Sequence, residues 1–131
     1  MSFRILVVDD SPVARKVVRR ALSMCGLELA EIHEAASGLE ALDQLRRNWI
    51  DLVVTDVHMP EMTGQELVEA MRSDDSLADV PVIVVSSDTT DSRRDAMLAM
   101  GAKDYLVKPI TPERMRSAAL RALYPENADV Q

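Results

Sequence analysis

The sequence predicts an α/β fold in which a parallel sheet carries helices on both faces. Three observations point to it. Short runs rich in Val, Ile and Leu alternate along the chain with longer segments of helical spacing. The run Leu52-Val53-Val54 is apolar without alternation, as a strand buried on both faces should be. The order βαβαβαβαβα requires crossovers, and crossovers of this length join parallel strands.

The first strand is expected at Arg4–Val8 and ends on Asp9-Asp10. Ser11-Pro12 then starts a helix, with a capping hydroxyl before a first-turn proline. On that helix Val13, Val17 and Ala21 recur at four, beside a parallel series of Ala14, Val18 and Leu22. Arg15, Lys16, Arg19 and Arg20 pair at spacings of four on the same helix and read as a solvated face. Gly26 stands where its C-cap belongs. Cys25, the single cysteine, lies among Leu22, Met24 and Leu27 and reads as a buried thiol.

The second strand is expected at Leu29–Glu34, followed by a helix with Leu39, Leu42 and Leu45 at spacings of three. The third strand, Asp51–Thr55, ends on Asp56 and precedes a helix carrying Leu67, Val68 and Met71. Ser37 to Glu40 and Thr63 to Glu66 both fit a capping box. The fourth strand, Val82–Ser86, leads into Ser87 and a helix with Met97, Met100 and a C-cap at Gly101. The fifth, Asp104–Val107, leads into Lys108-Pro109. Thr111-Pro112 then starts a last helix with Met115, Ala119 and Leu123. One domain is expected over residues 1–124, with a polar tail at 125–131.

The 131 residues suffice for one real core, and 47% apolar with 28% charged residues is ordinary for a soluble chain. No apolar run approaches a membrane span, and the aspartates at Asp9 and Asp10 interrupt any secretory signal. A cytoplasmic protein without membrane attachment is expected. The net charge of −7 argues against direct nucleic-acid binding, which needs clustered cations.

A carboxylate at the mouth of a hydrophobic strand needs neutralising, pairing or a metal. Ligands of open parallel sheets bind outside the carboxyl ends of the strands, and here those ends carry Asp9, Asp10, Asp56, Ser86 and Lys108. Three carboxylates in one crevice call for a hard cation, and oxygen ligands suit Mg²⁺. With Lys108 and the Ser86 hydroxyl beside them, the crevice could receive a phosphoryl group, with Asp56 as the nucleophile. His58 has no second His or Cys at ligand spacing, so its side chain is expected to line the mouth of the site.

The segments "ILVVDDSPVAR", "DLVVTDVHMPEMTG", "PVIVVSS" and "GAKDYLVKPI" resemble response-regulator receiver domains, most closely stand-alone receivers of the chemotaxis CheY type. The resemblance runs from about Phe3 to Leu123. It implies a flavodoxin-like sheet in strand order 2-1-3-4-5, an order for which CheY is itself a standard example. It implies a signalling switch rather than an enzyme, with Asp56 taking the phosphoryl group of a histidine kinase. Asp10, Asp56 and the backbone carbonyl of His58 would bind Mg²⁺, and Asp9 would act through a water. Ser86 would be the switch hydroxyl, Tyr105 the aromatic that follows it inward, and Lys108 the phosphate partner. An output protein would read the surface of helix four, strand five and helix five. The family more often has Thr at position 86 and a smaller residue at 87, and helix four here starts on a charged run from Asp91 to Asp95. A cis Lys108-Pro109 bond is also implied.

Two other functions fit parts of the pattern. A haloacid-dehalogenase-type phosphatase also uses an Asp nucleophile and Mg²⁺, but wants two aspartates one residue apart after strand one, where Ser11 stands. A flavin module on the same sheet wants a hydroxyl- and glycine-rich loop there, and Asp9-Asp10 would repel its phosphate.

Overall fold

The structure, a computed structural model, describes residues 2–125. Beyond Pro125, the expected polar tail lies outside the described residues. Five strands, β1 (Phe3–Val8), β2 (Leu29–Ala35), β3 (Leu52–Thr55), β4 (Val82–Ser86) and β5 (Asp104–Val107), form one parallel sheet in the order β2-β1-β3-β4-β5. Strand limits differ from the sequence reading by a residue at most, as is usual at element ends.

Strand alternation sorts the core into two layers. Ile5, Val7, Leu52, Val54, Ile83 and Val85 face helices α1 (Pro12–Met24) and α5 (Pro112–Leu123). Leu6, Val8, Val53, Val82 and Val84 face α2 (Gly38–Arg47), α3 (Gly64–Arg72) and α4 (Asp91–Ala99). Registers Ile5↔Leu52 and Val7↔Val54 keep each layer continuous across the strands. Every residue of β3 and β4 is buried, so the centre of the sheet sees no water on either side.

The caps form largely as read. Ser11, Ser37, Thr63 and Thr111 each accept from a first-turn amide, and Thr63 with Glu66 completes a capping box. Ser37 makes only its own half of such a box. Gly26 and Gly101 follow the C-caps of α1 and α4. Helix α4 is held least: Thr90 makes no side-chain cap, and Met97 is its one buried residue.

Three sequence expectations are corrected. On α1 the core series is Val18, Ala21 and Leu22, while Val13 and Val17 are 72% and 51% exposed. On α2, Leu42 and Leu45 are buried but Leu39 faces out. A four-residue repeat marks a helix stripe without saying which of two adjacent stripes meets the sheet. The basic face of α1 is likewise not wholly solvated. Arg15 and Arg19 both reach Glu34 on β2, at 2.9 and 3.3 Å.

Where α3 starts, the chain passes against the end of β3. A Cβ on Gly64 would lie 2.2 Å from the Asp56 carbonyl oxygen and 2.9 Å from Val57 Cα, both backbone. A Cβ on Gly38 would instead meet only the flexible side chain of Met62, at 2.6 Å. Overpacking against backbone costs about 1–3 kcal/mol or more. Gly64→Ala is therefore expected to lower the urea midpoint well below that of Gly38→Ala, with an unchanged slope. Equal midpoints for the two variants would contradict this packing.

Candidate functional site

The site lies where β1, β3, β4 and β5 end at one edge of the sheet. Asp9 and Asp10 leave β1, Asp56 leaves β3, Ser86 closes β4, and Lys108 follows β5. Strand order makes this possible, since β1 and β3 are neighbours and β4 and β5 complete the run. The amides continue the ladder into the site: Asp9 donates to Ala35, and Asp56 donates to Val8.

Asp9, Asp10 and Asp56 each offer a carboxylate oxygen within 4.8 Å of the others. Asp9 is buried, Asp56 half-buried and Asp10 exposed. Lys108 Nζ stands 3.4 Å from Asp9 Oδ2 and 3.6 Å from Asp56 Oδ2. One ammonium thus faces two carboxylates, and the cluster carries excess negative charge. Across the Lys108-Pro109 bond the chain is cis, as the resemblance implied.

The donor set fits a hard divalent cation. Two oxygens bound to one Mg²⁺ lie at most about 4.2 Å apart, and carboxylate oxygens within 4.8 Å of one another could reach one ion directly or through a water. Both oxygens of Asp9 already have partners, the Ser11 amide at 3.0 Å and Lys108. Asp10 is therefore the freer ligand of the β1 pair. Asp56 accepts one hydrogen bond, from the Val57 amide at 2.7 Å to Oδ1, and turns Oδ2 toward Lys108.

The loop after β3 is bent sharply. The Met62 amide donates to the Pro60 carbonyl at 2.7 Å, and Glu61 between them has φ of +67°. This γ-turn geometry is strained for a residue other than glycine. The loop sets Met62 against Gly38 at the start of α2.

The His58 side chain is not part of the carboxylate group. Its Nε2 lies 2.9 Å from Asp88 Oδ2, which spans the mouth from the β3–α3 loop to the β4–α4 loop. His33 pairs with Glu31 on β2, outside that group. Ser86 is fully buried, and its hydroxyl accepts the Asp88 amide at 3.0 Å. Tyr105 is buried as well, and its hydroxyl donates to the Asp88 carbonyl at 2.8 Å. The sequence reading had Tyr105 moving inward after Ser86; here the ring is already inside.

Asp88 went unnoticed in the sequence, where it stands in the polar run Ser86 to Ser92. It binds Ser86 and Tyr105 through its backbone and His58, Thr90 and Arg93 through its carboxylate. Arg93 in turn donates to Gln65 on α3 at 2.7 Å. The local signal was the Asp88–Thr90 pairing before a helix, a turn in which a side chain bonds backbone two residues on.

The Asp88 carboxyl is held far below the usual carboxylate range, first by the Thr90 amide, then by the Thr90 hydroxyl, then by His58. A depressed carboxyl contributes stability that is present above its unfolded value, about 3.9, and lost as the pH falls below it. Wild type should therefore lose melting temperature more steeply than Asp88→Asn as the pH drops below about 4. Parallel curves for the two proteins would show that Asp88 is not held ionised by this loop.

A model of the response regulator receiver domain matches residues 5–120. Chemotaxis protein CheY1 of Helicobacter pylori is 35% identical over 114 residues, covering 86% of this chain and 90% of that protein. Response regulator MprA of Mycobacterium bovis is 42% identical over 98% of this chain, which spans 55% of that longer protein. The high-resolution structure of chemotaxis response regulator CheY4 of Vibrio cholerae superposes with a TM-score of 0.81 at 33% identity, covering 94% of this chain and all of that one. Among the described residues, no helix is long and apolar enough to cross a membrane.

Proposed function

Because the chain belongs to the response regulator receiver family, and so to two-component signalling, we propose that Asp56 is the residue that takes the phosphoryl group. The donor is the phosphohistidine of a histidine kinase. An oxygen of Asp56 attacks phosphorus in line, the P–N bond breaks, and the imidazole leaves with the electron pair. The observation that carries this reading is the crowding of Asp9 and Asp10 around the Asp56 carboxylate, which also faces Lys108.

Each neighbour has a role in that transfer. Asp10, Asp56 and the His58 backbone carbonyl would hold Mg²⁺, and Asp9, whose oxygens are already engaged, would act through a water. The metal, when bound, neutralises charge on the phosphoryl oxygens. Lys108 leaves its carboxylates for a phosphoryl oxygen. Ser86 trades the Asp88 amide for another phosphoryl oxygen, and that exchange frees the β4–α4 loop.

The released loop carries Tyr105's partner with it, because the Ser86 and Tyr105 bonds meet on the same residue, Asp88. Helix α4 can follow, since Met97 is its one buried residue and its Arg93 is tied to Asp88 in the same loop. The surface of α4, β5 and α5 then differs between states, as a partner must sense if binding is to depend on phosphorylation. The protein is a switch and not an enzyme, working in the cytoplasm through a histidine kinase and an output protein, without direct contact to nucleic acid or membrane. A haloacid-dehalogenase activity finds no support, since the nucleophile of that class would stand on β1 and position 11 is Ser11.

Incubation with acetyl phosphate and Mg²⁺, followed by intact mass, tests the assignment. Wild type is expected to gain one alkali-labile phosphoryl group, and Asp56→Asn none. Equal labelling of the variant would place the acceptor elsewhere.

A further inference from the structure

We propose that Arg15 is a positioning residue for the Asp9–Asp10 pair, acting through the peptide that joins them; the inference rests on the metal reading above. The register of β1 with β2 ends at Val8 and Ala35. Asp9 still donates its amide to Ala35, but its own carbonyl has passed the end of the ladder. Arg15 Nη1 meets that carbonyl at 2.7 Å. The carbonyl belongs to the peptide plane whose nitrogen is that of Asp10. Holding that plane restrains Asp9 ψ and Asp10 φ, and so narrows the directions in which both side chains leave the chain.

Arg15 is itself held. Its Nε donates to Glu34 Oε1 at 2.9 Å, and its side chain is only 16% exposed. Glu34 comes from β2, so the guanidinium ties the turn to the sheet and not merely to its own helix. The location is otherwise unfavourable for a cation. Arg15 is the fourth residue of α1, near the positive end of the helix dipole, and α1 has no acidic residue in its first turn. Glu34 offsets that cost. A planar fork can meet a carboxylate and a carbonyl together, which a lysine ammonium on a flexible stem does less well.

Arg19 supplies an internal comparison. It shares Glu34, at 3.3 Å, and donates to the Ile32 carbonyl at 3.1 Å, but makes no hydrogen bond to Asp9. Both arginines brace α1 against β2; Arg15 alone also grips the turn that carries the candidate ligands. Groups that orient metal ligands typically change affinity about 10- to 100-fold when removed.

Calorimetric titration with Mg²⁺ alone, together with melting curves, separates the two roles. Arg15→Ala and Arg15→Lys are expected to weaken Mg²⁺ binding by about tenfold, whereas Arg19→Ala should lower the melting temperature and leave the affinity unchanged. If Arg15→Ala does not fold, Arg15→Lys, which keeps the charge and the stem, gives the same reading. Wild-type affinity in the folded Arg15 variants would overturn this inference while leaving the metal site intact. Failure of wild type itself to bind Mg²⁺ would overturn the metal reading and this inference with it.

Discussion

One ammonium between two carboxylates, Lys108 beside Asp9 and Asp56, is the interaction on which the rest of this structure turns. A third carboxylate, Asp10, joins them within 4.8 Å. Such a cluster is unfavourable unless a cation shares it. The protein sustains it because the groups sit at strand ends, where the buried sheet fixes the backbone and water still reaches Asp10. Parallel order brings β1 and β3 side by side, and β5 delivers Lys108 from across β4. The same excess of negative charge that costs stability is what a divalent cation would neutralise, and it would repel a phosphoryl group until it is neutralised.

Around this centre, two sets of hydrogen bonds run outward. The first is the turn after β1, where Glu34, Arg15 and the Asp9 carbonyl form a relay from the edge of the sheet to the carboxylates. The second is the loop after β4, gathered on Asp88. Its amide meets Ser86, its carbonyl meets Tyr105, and its carboxylate meets His58 across the mouth. In the proposed switch, a change at Ser86 would therefore reach Tyr105 and His58 through Asp88. The loop leads into α4, the helix with the weakest cap and the smallest buried face, which is where a small change in loop position can be read as a change of surface.

Much of this was legible in the sequence because it is local. Branched apolar runs gave the strands, the capping residues Ser11, Thr63 and Thr111 gave helix starts, and acidic and basic residues at strand ends gave the crevice. What escaped depends on distant contacts. Val13 and Val17 repeat as core residues do, yet α1 is rotated so that Val18 and Leu22 pack instead. Arg15 and Arg19 look like a solvated pair until Glu34 is folded against them. Asp88 looks like one charge in a polar run because His58, thirty residues earlier, supplies its partner. Glu61's left-handed backbone has no signal in its side chain at all.

A crystal structure with Mg²⁺ and beryllofluoride, a stable mimic of a phosphoryl group, tests the centre of this account most directly. The account predicts beryllium on Asp56, the ion held by Asp10, Asp56 and the His58 carbonyl, Lys108 turned to a fluorine, and the Ser86 hydroxyl released from the Asp88 amide. Beryllium on another carboxylate, or an occupied Asp56 with Ser86 still bonded to Asp88, would contradict it.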